Sequence, residues 1–131
     1  VIEFNHSRFK ITTSGKNTQE DIKRALNLFF NEKAAMKITP RVEVWAEKTG
    51  LQYGLLHFRK LTKRWGSCTP GNHIVINTEA IKLPFSLIDY LIVHELCHVK
   101  HKDHSKAFWG EVGKYIRNWK ELDERMRGMK M

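Results

Sequence analysis

The stretch HELCHVKHKDHSKAFW, from His94 to Trp109, places four histidines and a glutamate in a segment that otherwise reads as a buried helix. Unpaired imidazoles and a carboxylate cost several kcal/mol in apolar surroundings, so these residues need a reason to be there. Its first five residues are an HExxH motif. On a helix, positions four apart share a face, so His94 and His98 direct their imidazoles at a common point. Glu95 lies about 100° round the helix from His94, within reach of a metal-bound water without being a ligand. Two histidines holding an ion beside a carboxylate that takes a proton from its water is the chemistry of zinc hydrolases.

A catalytic zinc takes three protein ligands and keeps a fourth position for water. His101 lies on the face of His94, but seven residues of helix separate their Cα atoms by about 10.5 Å. One zinc with arms of about 2 Å does not bridge that span. His104 follows KHKD, where the helix can break and the chain fold back, and is the favoured third ligand. Glu111 is the other candidate, since some zincins place a carboxylate there. His101 is then a surface residue or a support for the ligands. Cys97 points off the His94–His98 axis and reads as a small core residue, and Cys68 as a buried edge-strand residue or a pocket thiol, the former favoured.

The elements that must position these groups are legible in outline. VIEFNHSRFKI alternates loosely and suggests a short strand pair. Thr18 or Asn17 can cap a helix carrying Ile22, Leu26, Phe29 and Phe30 at helical spacing, which Pro40 interrupts. A second helical stretch, Val42 to Lys48, stops at Gly50. YGLLHFRKL and RWGSC are β-like. RWGSC leads into TPGN, where Pro70 and Gly71 suit a type II turn, and HIVIN completes a hairpin. Ile88, Leu91, Ile92, Val93, Leu96 and Val99 cover most of the circumference of a central helix. A last amphipathic helix carries Phe108, Val112, Tyr115, Ile116 and Trp119. Helices and sheet are segregated, which defines an α+β domain.

At 131 residues the chain is long enough for one core, and the expected organisation is a single domain over 1–131. It starts at Val1, as a piece from within a longer product would. The net charge of +9 biases the surface toward anionic partners, nucleic acid included. No apolar run approaches the length of a membrane span, so no membrane partner is expected. Two cysteines without a disulfide-rich spacing fit a reducing cytoplasm.

RWGSC, then HIVIN, then LIDYLIVHELCHVKHKDHSKAFW, in that order, resembles the YgjP-like family of metal-dependent hydrolases, relatives of the zincin metallopeptidases. The likeness runs from about Leu51 to Trp119. It implies a zincin-like α+β domain, a small antiparallel sheet beside a central HExxH helix, with residues 1–16 the remnant of a longer N-terminal strand region. It implies one Zn2+ on His94, His98 and His104, with Glu95 as acid/base. Members are described as metallopeptidases, and one has been assigned UTP pyrophosphatase activity.

The substrate is accordingly a peptide or a nucleotide. Either electrophile needs a donor for developing negative charge, and Arg64 is the first candidate because a guanidinium suits phosphate. Trp65 and Asn77 read as structural, and His57 and His73 as surface residues. A noncatalytic, metal-stabilised nucleic-acid-binding module rests on charge alone, and Glu95 counts against it, since a structural metal site needs no general base.

Overall fold

The computed structural model describes residues 18–129 in full and, ahead of them, the backbone of two antiparallel strands, β1 (Ile2–Asn5) and β2 (Arg8–Ile11). The strand pair expected in the N-terminal segment is therefore present. The remaining expectations about residues 1–16, and Asn17, lie outside the described residues.

Helix α1 runs without a break from Gln19 to Thr49. Thr18 caps it in a reciprocal box with Asp21, and Gly50 ends it in the left-handed conformation at φ 71°. The expected interruption at Pro40 does not occur. An interior proline lacks the N–H that would bond the carbonyl four residues back, a cost of about 3 kcal/mol in an isolated helix. Pro40 lies on the exposed side, where water can serve that carbonyl. Ala34, Ile38 and Val42, spaced by four, are fully buried on the opposite stripe. Burial of Ile38 and of Val42 contributes roughly 1.5–3 kcal/mol each, enough to carry the helix through the defect. Arg41 Nε donates to Asp89 Oδ1 of the central helix at 2.9 Å, locking the two helices together.

Three strands follow: β3 (Leu56–Arg59), β4 (Gly66–Cys68) and β5 (Ile74–Asn77). The sheet order is β3-β5-β4. β4 and β5 form the expected hairpin, but β3 pairs parallel to β5, so the sheet is mixed rather than antiparallel. With a strand on each side, β5 is central and every one of its residues is buried, which overrides the alternation in HIVIN. The hairpin turn is also not type II. Asn72 N–H donates to Thr69 O at 2.9 Å across Pro70 and Gly71. The positive φ of 66° falls on Asn72, and Gly50 is the only described glycine with a positive φ. A turn followed by one left-handed residue closes a three-residue hairpin loop, and asparagine tolerates that conformation.

A 3-10 turn (Thr78–Lys82) leads into α2 (Phe85–Lys100). Ile88, Leu91, Ile92, Val93 and Leu96 are buried, as their spacing requires. The expected last helix is two, α3 (Lys106–Tyr115) and α4 (Trp119–Arg127). Gly113 marks the corner: a Cβ there would stand 3.3 Å from Trp119 Nε1, so the indole folds back where only hydrogen fits comfortably. The core joins α1, β5, α3 and α4 around α2, giving the α+β arrangement anticipated from the sequence.

Candidate metal centre

The C-terminal half of α2 brings His94 and His98 onto one face, and the chain leaves the helix at His101. Ser105 starts α3 by accepting a hydrogen bond from Phe108 N–H at 3.3 Å, which fixes the turn that returns His104 to the same point. One ring nitrogen from each of His94, His98 and His104 lies within 4.8 Å of the others. His98 Nε2 and His104 Nε2 face each other at 3.1 Å. Corners of a tetrahedron with arms of 2.1 Å are about 3.4 Å apart, so small side-chain adjustments seat one ion.

The donor set suits a metal chemically. His98 Nδ1 lies 2.8 Å from the carbonyl of His101 and donates to it, leaving the Nε2 lone pair for the cluster. Burial holds the His98 pKa below its ordinary value, with the His101 hydrogen bond opposing, so this ring favours the neutral, ligating form. His94 Nδ1 is buried with no hydrogen-bond partner, an orphaned polar atom beside the cluster.

Two aromatic residues hold the rings: Phe108, read from sequence only as an apolar helix residue, and Trp109, to which the sequence assigns no role. Phe108 stacks on His98, with centroids 4.3 Å apart and planes at 20°. Trp109 stacks on His104 at 5.7 Å and 21°, and its other neighbour, Trp119, stacks on it at 4.4 Å and 14°. The repeated aromatics in AFW and NW are the available signal, but periodicity places Phe108 and Trp119 on an apolar face and leaves Trp109 unassigned.

Glu95 is buried, with Oε2 3.3 Å from His94 Nδ1. A Cβ on Gly66 would lie 3.2 Å from that same oxygen, so β4 presses against Glu95 at the one residue of RWGSC that leaves space for it. Both face a cavity of about 660 Å³, which the three histidines, Arg64, Trp65 and Cys68 also line.

Other sequence candidates fall elsewhere. Glu111 is buried but its carboxylate is occupied by Lys100 at 3.1 Å, with His101 Nε2 and Lys114 at 3.6 Å, and it stands outside the histidine cluster. Burial would raise its pKa, yet these partners together hold it low. His101 reaches the centre through its backbone carbonyl. Cys97 is fully buried, its thiol pushed up to about 12 by burial. Of the two readings of Cys68, the less favoured pocket position is the one found: it is half-buried on the cavity wall because β4 is the sheet's edge. His73 is not a surface bystander: its Nδ1 accepts from Leu55 N–H at 2.8 Å and pins β3 to the hairpin. Asn77 is fully buried and donates to the carbonyls of Leu61 and Arg64 at 3.0 and 2.8 Å, fixing the loop before β4.

Residues 3–129 match the protein family described as YgjP-like, metallopeptidase domain. No curated protein matches the chain. Among solved structures, the metallopeptidase zymogen abylysin of Pyrococcus abyssi is 24% identical with a TM-score of 0.62, covering 68% of this chain and 90% of that one. The metallopeptidase zymogen jannalysin of Methanocaldococcus jannaschii is 19% identical with a TM-score of 0.60, covering 68% and 92%. A mutant of Wss1 from Saccharomyces cerevisiae is 17% identical with a TM-score of 0.53, covering 86% and 89%. At these identities the structures speak for the fold alone. No helix among the described residues is long and apolar enough to cross a membrane.

Proposed function

The chain belongs to the YgjP-like, metallopeptidase domain family, and we propose that it is a zinc-dependent peptidase whose metal is held by His94, His98 and His104, with Glu95 as general base. The observation that carries this reading is the convergence of three imidazole nitrogens within 4.8 Å on the cavity that Glu95 also lines. When bound there, zinc supplies a Lewis acid that polarises a carbonyl and lowers the pKa of water to about 7.

The chain's own residues do the rest. Glu95 takes a proton from the attacking water and passes it to the leaving amine. Its burial, and the contact with Gly66, hold the carboxylate at one position. The carbonyl of His101 keeps His98 in the ligating tautomer. Arg64, exposed on the cavity wall, offers a cation to developing negative charge. β4 has β5 on one side and, among the described residues, no strand on the other, so its open edge can hydrogen-bond an extended peptide.

A second reading, hydrolysis of a nucleoside triphosphate such as UTP at the same centre, is favoured by the cations Lys63 and Arg64 on that wall. The deciding experiment measures metal content, then compares cleavage of an unstructured protein with pyrophosphate release from UTP, each with and without a chelator. Chelator-sensitive peptide cleavage is expected. Chelator-sensitive pyrophosphate release with no peptide cleavage rejects the peptidase reading.

A further inference from the structure

The charges around the cavity are unequally matched. Of the carboxylates on its wall, Asp123 accepts from Tyr90 Oη and from Arg127 Nε, each at 2.8 Å, so it and Arg127 neutralise one another. Glu95 faces the histidines. Three further cations line the cavity with no acidic partner among the described ion pairs: Lys63, Arg64 and Lys102. Lys102 Nζ is held, but by neutral oxygens, the carbonyl of Thr69 at 3.3 Å and the side chain of Asn72. Its charge stays uncompensated.

Their placement is informative. Lys63 and Arg64 lie three and two residues before the edge strand β4, and Lys102 is tied to the turn that immediately follows it. β4 has three residues, about 10 Å of extended chain. Positive charge therefore stands at both ends of the open edge that faces the centre. The loop bearing Arg64 is also fixed, since the fully buried Asn77 amide grips the carbonyls of Leu61 and Arg64. Fixed charge of one sign on both sides of a reaction centre selects the opposite sign in what lies between.

We propose that the cavity selects acidic peptides, with carboxylates flanking the scissile bond: one met by Lys63 and Arg64, the other by Lys102. The arrangement serves a peptide running in either direction along β4. The inference rests on the peptidase reading and deepens it by naming the substrate class. A triphosphate confines its charge to one compact group, whereas these cations are anchored at opposite ends of a strand, which fits charges spaced along an extended chain.

The test uses zinc-loaded protein and three internally quenched peptides, identical except for Glu, Gln or Lys flanking the bond on both sides. The ratio of kcat/KM for the Glu over the Gln peptide should be on the order of tenfold at low salt and shrink toward one as salt rises. The double variant Lys63→Glu with Lys102→Glu should reverse the order, favouring the Lys peptide, through KM. An independent reading is fluorescence anisotropy of the labelled peptides on the Glu95→Gln protein, where the Glu peptide should bind more tightly than the Gln peptide. Equal kcat/KM for all three cleaved peptides overturns the acidic preference and leaves the peptidase reading intact. No cleavage of any peptide, with chelator-sensitive pyrophosphate release from UTP, overturns both.

Discussion

Glu95 on α2 and Glu111 on α3 are the two buried glutamates of the described residues, 4% and 6% exposed. Glu111 is surrounded by Lys100, His101 and Lys114. Glu95 has only an imidazole at 3.3 Å, a glycine where a side chain would collide, and a cavity in front of it. A buried carboxylate with a full set of cations is anchored, and its ionisation serves the fold. One left open toward a cavity keeps its lone pairs for something that arrives. The same side chain, equally buried, is tied down in one place and left open in the other.

The sharpest way to break that contrast is to make the same change at both positions. Glu95→Gln should leave zinc content and melting temperature near those of the parent while kcat falls about 10²–10⁴-fold, because an amide cannot accept the water's proton. Glu111→Gln should do the reverse, keeping most activity per folded molecule and lowering stability. Parental turnover by Glu95→Gln removes the proposed base. The histidines divide the same way. Ala at His94, His98 or His104 should abolish stoichiometric zinc by metal analysis, whereas His101→Ala should retain it, since that residue supports His98 through a backbone carbonyl that alanine keeps.

This division explains what the sequence could reveal. His94, His98 and Glu95 follow from helical period alone, and His104 from the geometric exclusion of His101; the structure brings all three imidazoles together. Contacts made through space were not legible. Nothing in RWGSC says that Gly66 packs on Glu95, nor in HIVIN that a parallel strand would bury both faces of β5. Pro40 misled because local propensity was outweighed by the stripe Ala34, Ile38 and Val42. The split between α3 and α4 was hidden because Trp119 continues the apolar spacing while its ring folds back onto Trp109.

Gly66 offers a milder perturbation of the open glutamate. A Cβ there would meet Val75 O at 3.1 Å, Glu95 Oε2 and Leu91 Cδ1 at 3.2 Å. The backbone carbonyl is held in the sheet, so the carboxylate and the leucine must give. Gly66→Ala should lower kcat roughly tenfold by displacing the base a few tenths of an ångström, in line with the steep dependence of rate on positioning. Zinc content should be unchanged, because none of the three atoms belongs to a histidine. Loss of zinc together with activity would show instead that β4 supports the metal centre.

The smallest effect tests the anchored partner through pH. Against the opposing pull of burial, Lys100, Lys114 and His101 hold the Glu111 carboxyl below its ordinary value of 4.5 in the folded chain. Its stabilising contribution is therefore complete above the unfolded-state pKa. As pH falls through that value and toward the lower folded one, the unfolded chain takes up the proton first, and the contribution disappears. Both lysines are more than half exposed, so screening limits the contribution to about 1–2 kcal/mol. Melting temperatures of metal-free parent and Glu111→Gln should differ by a few degrees at about pH 6 and converge at about pH 3. A difference that persists undiminished into acid would mean that Glu111 acts by shape rather than charge, and the contrast with Glu95 would then lose its electrostatic basis.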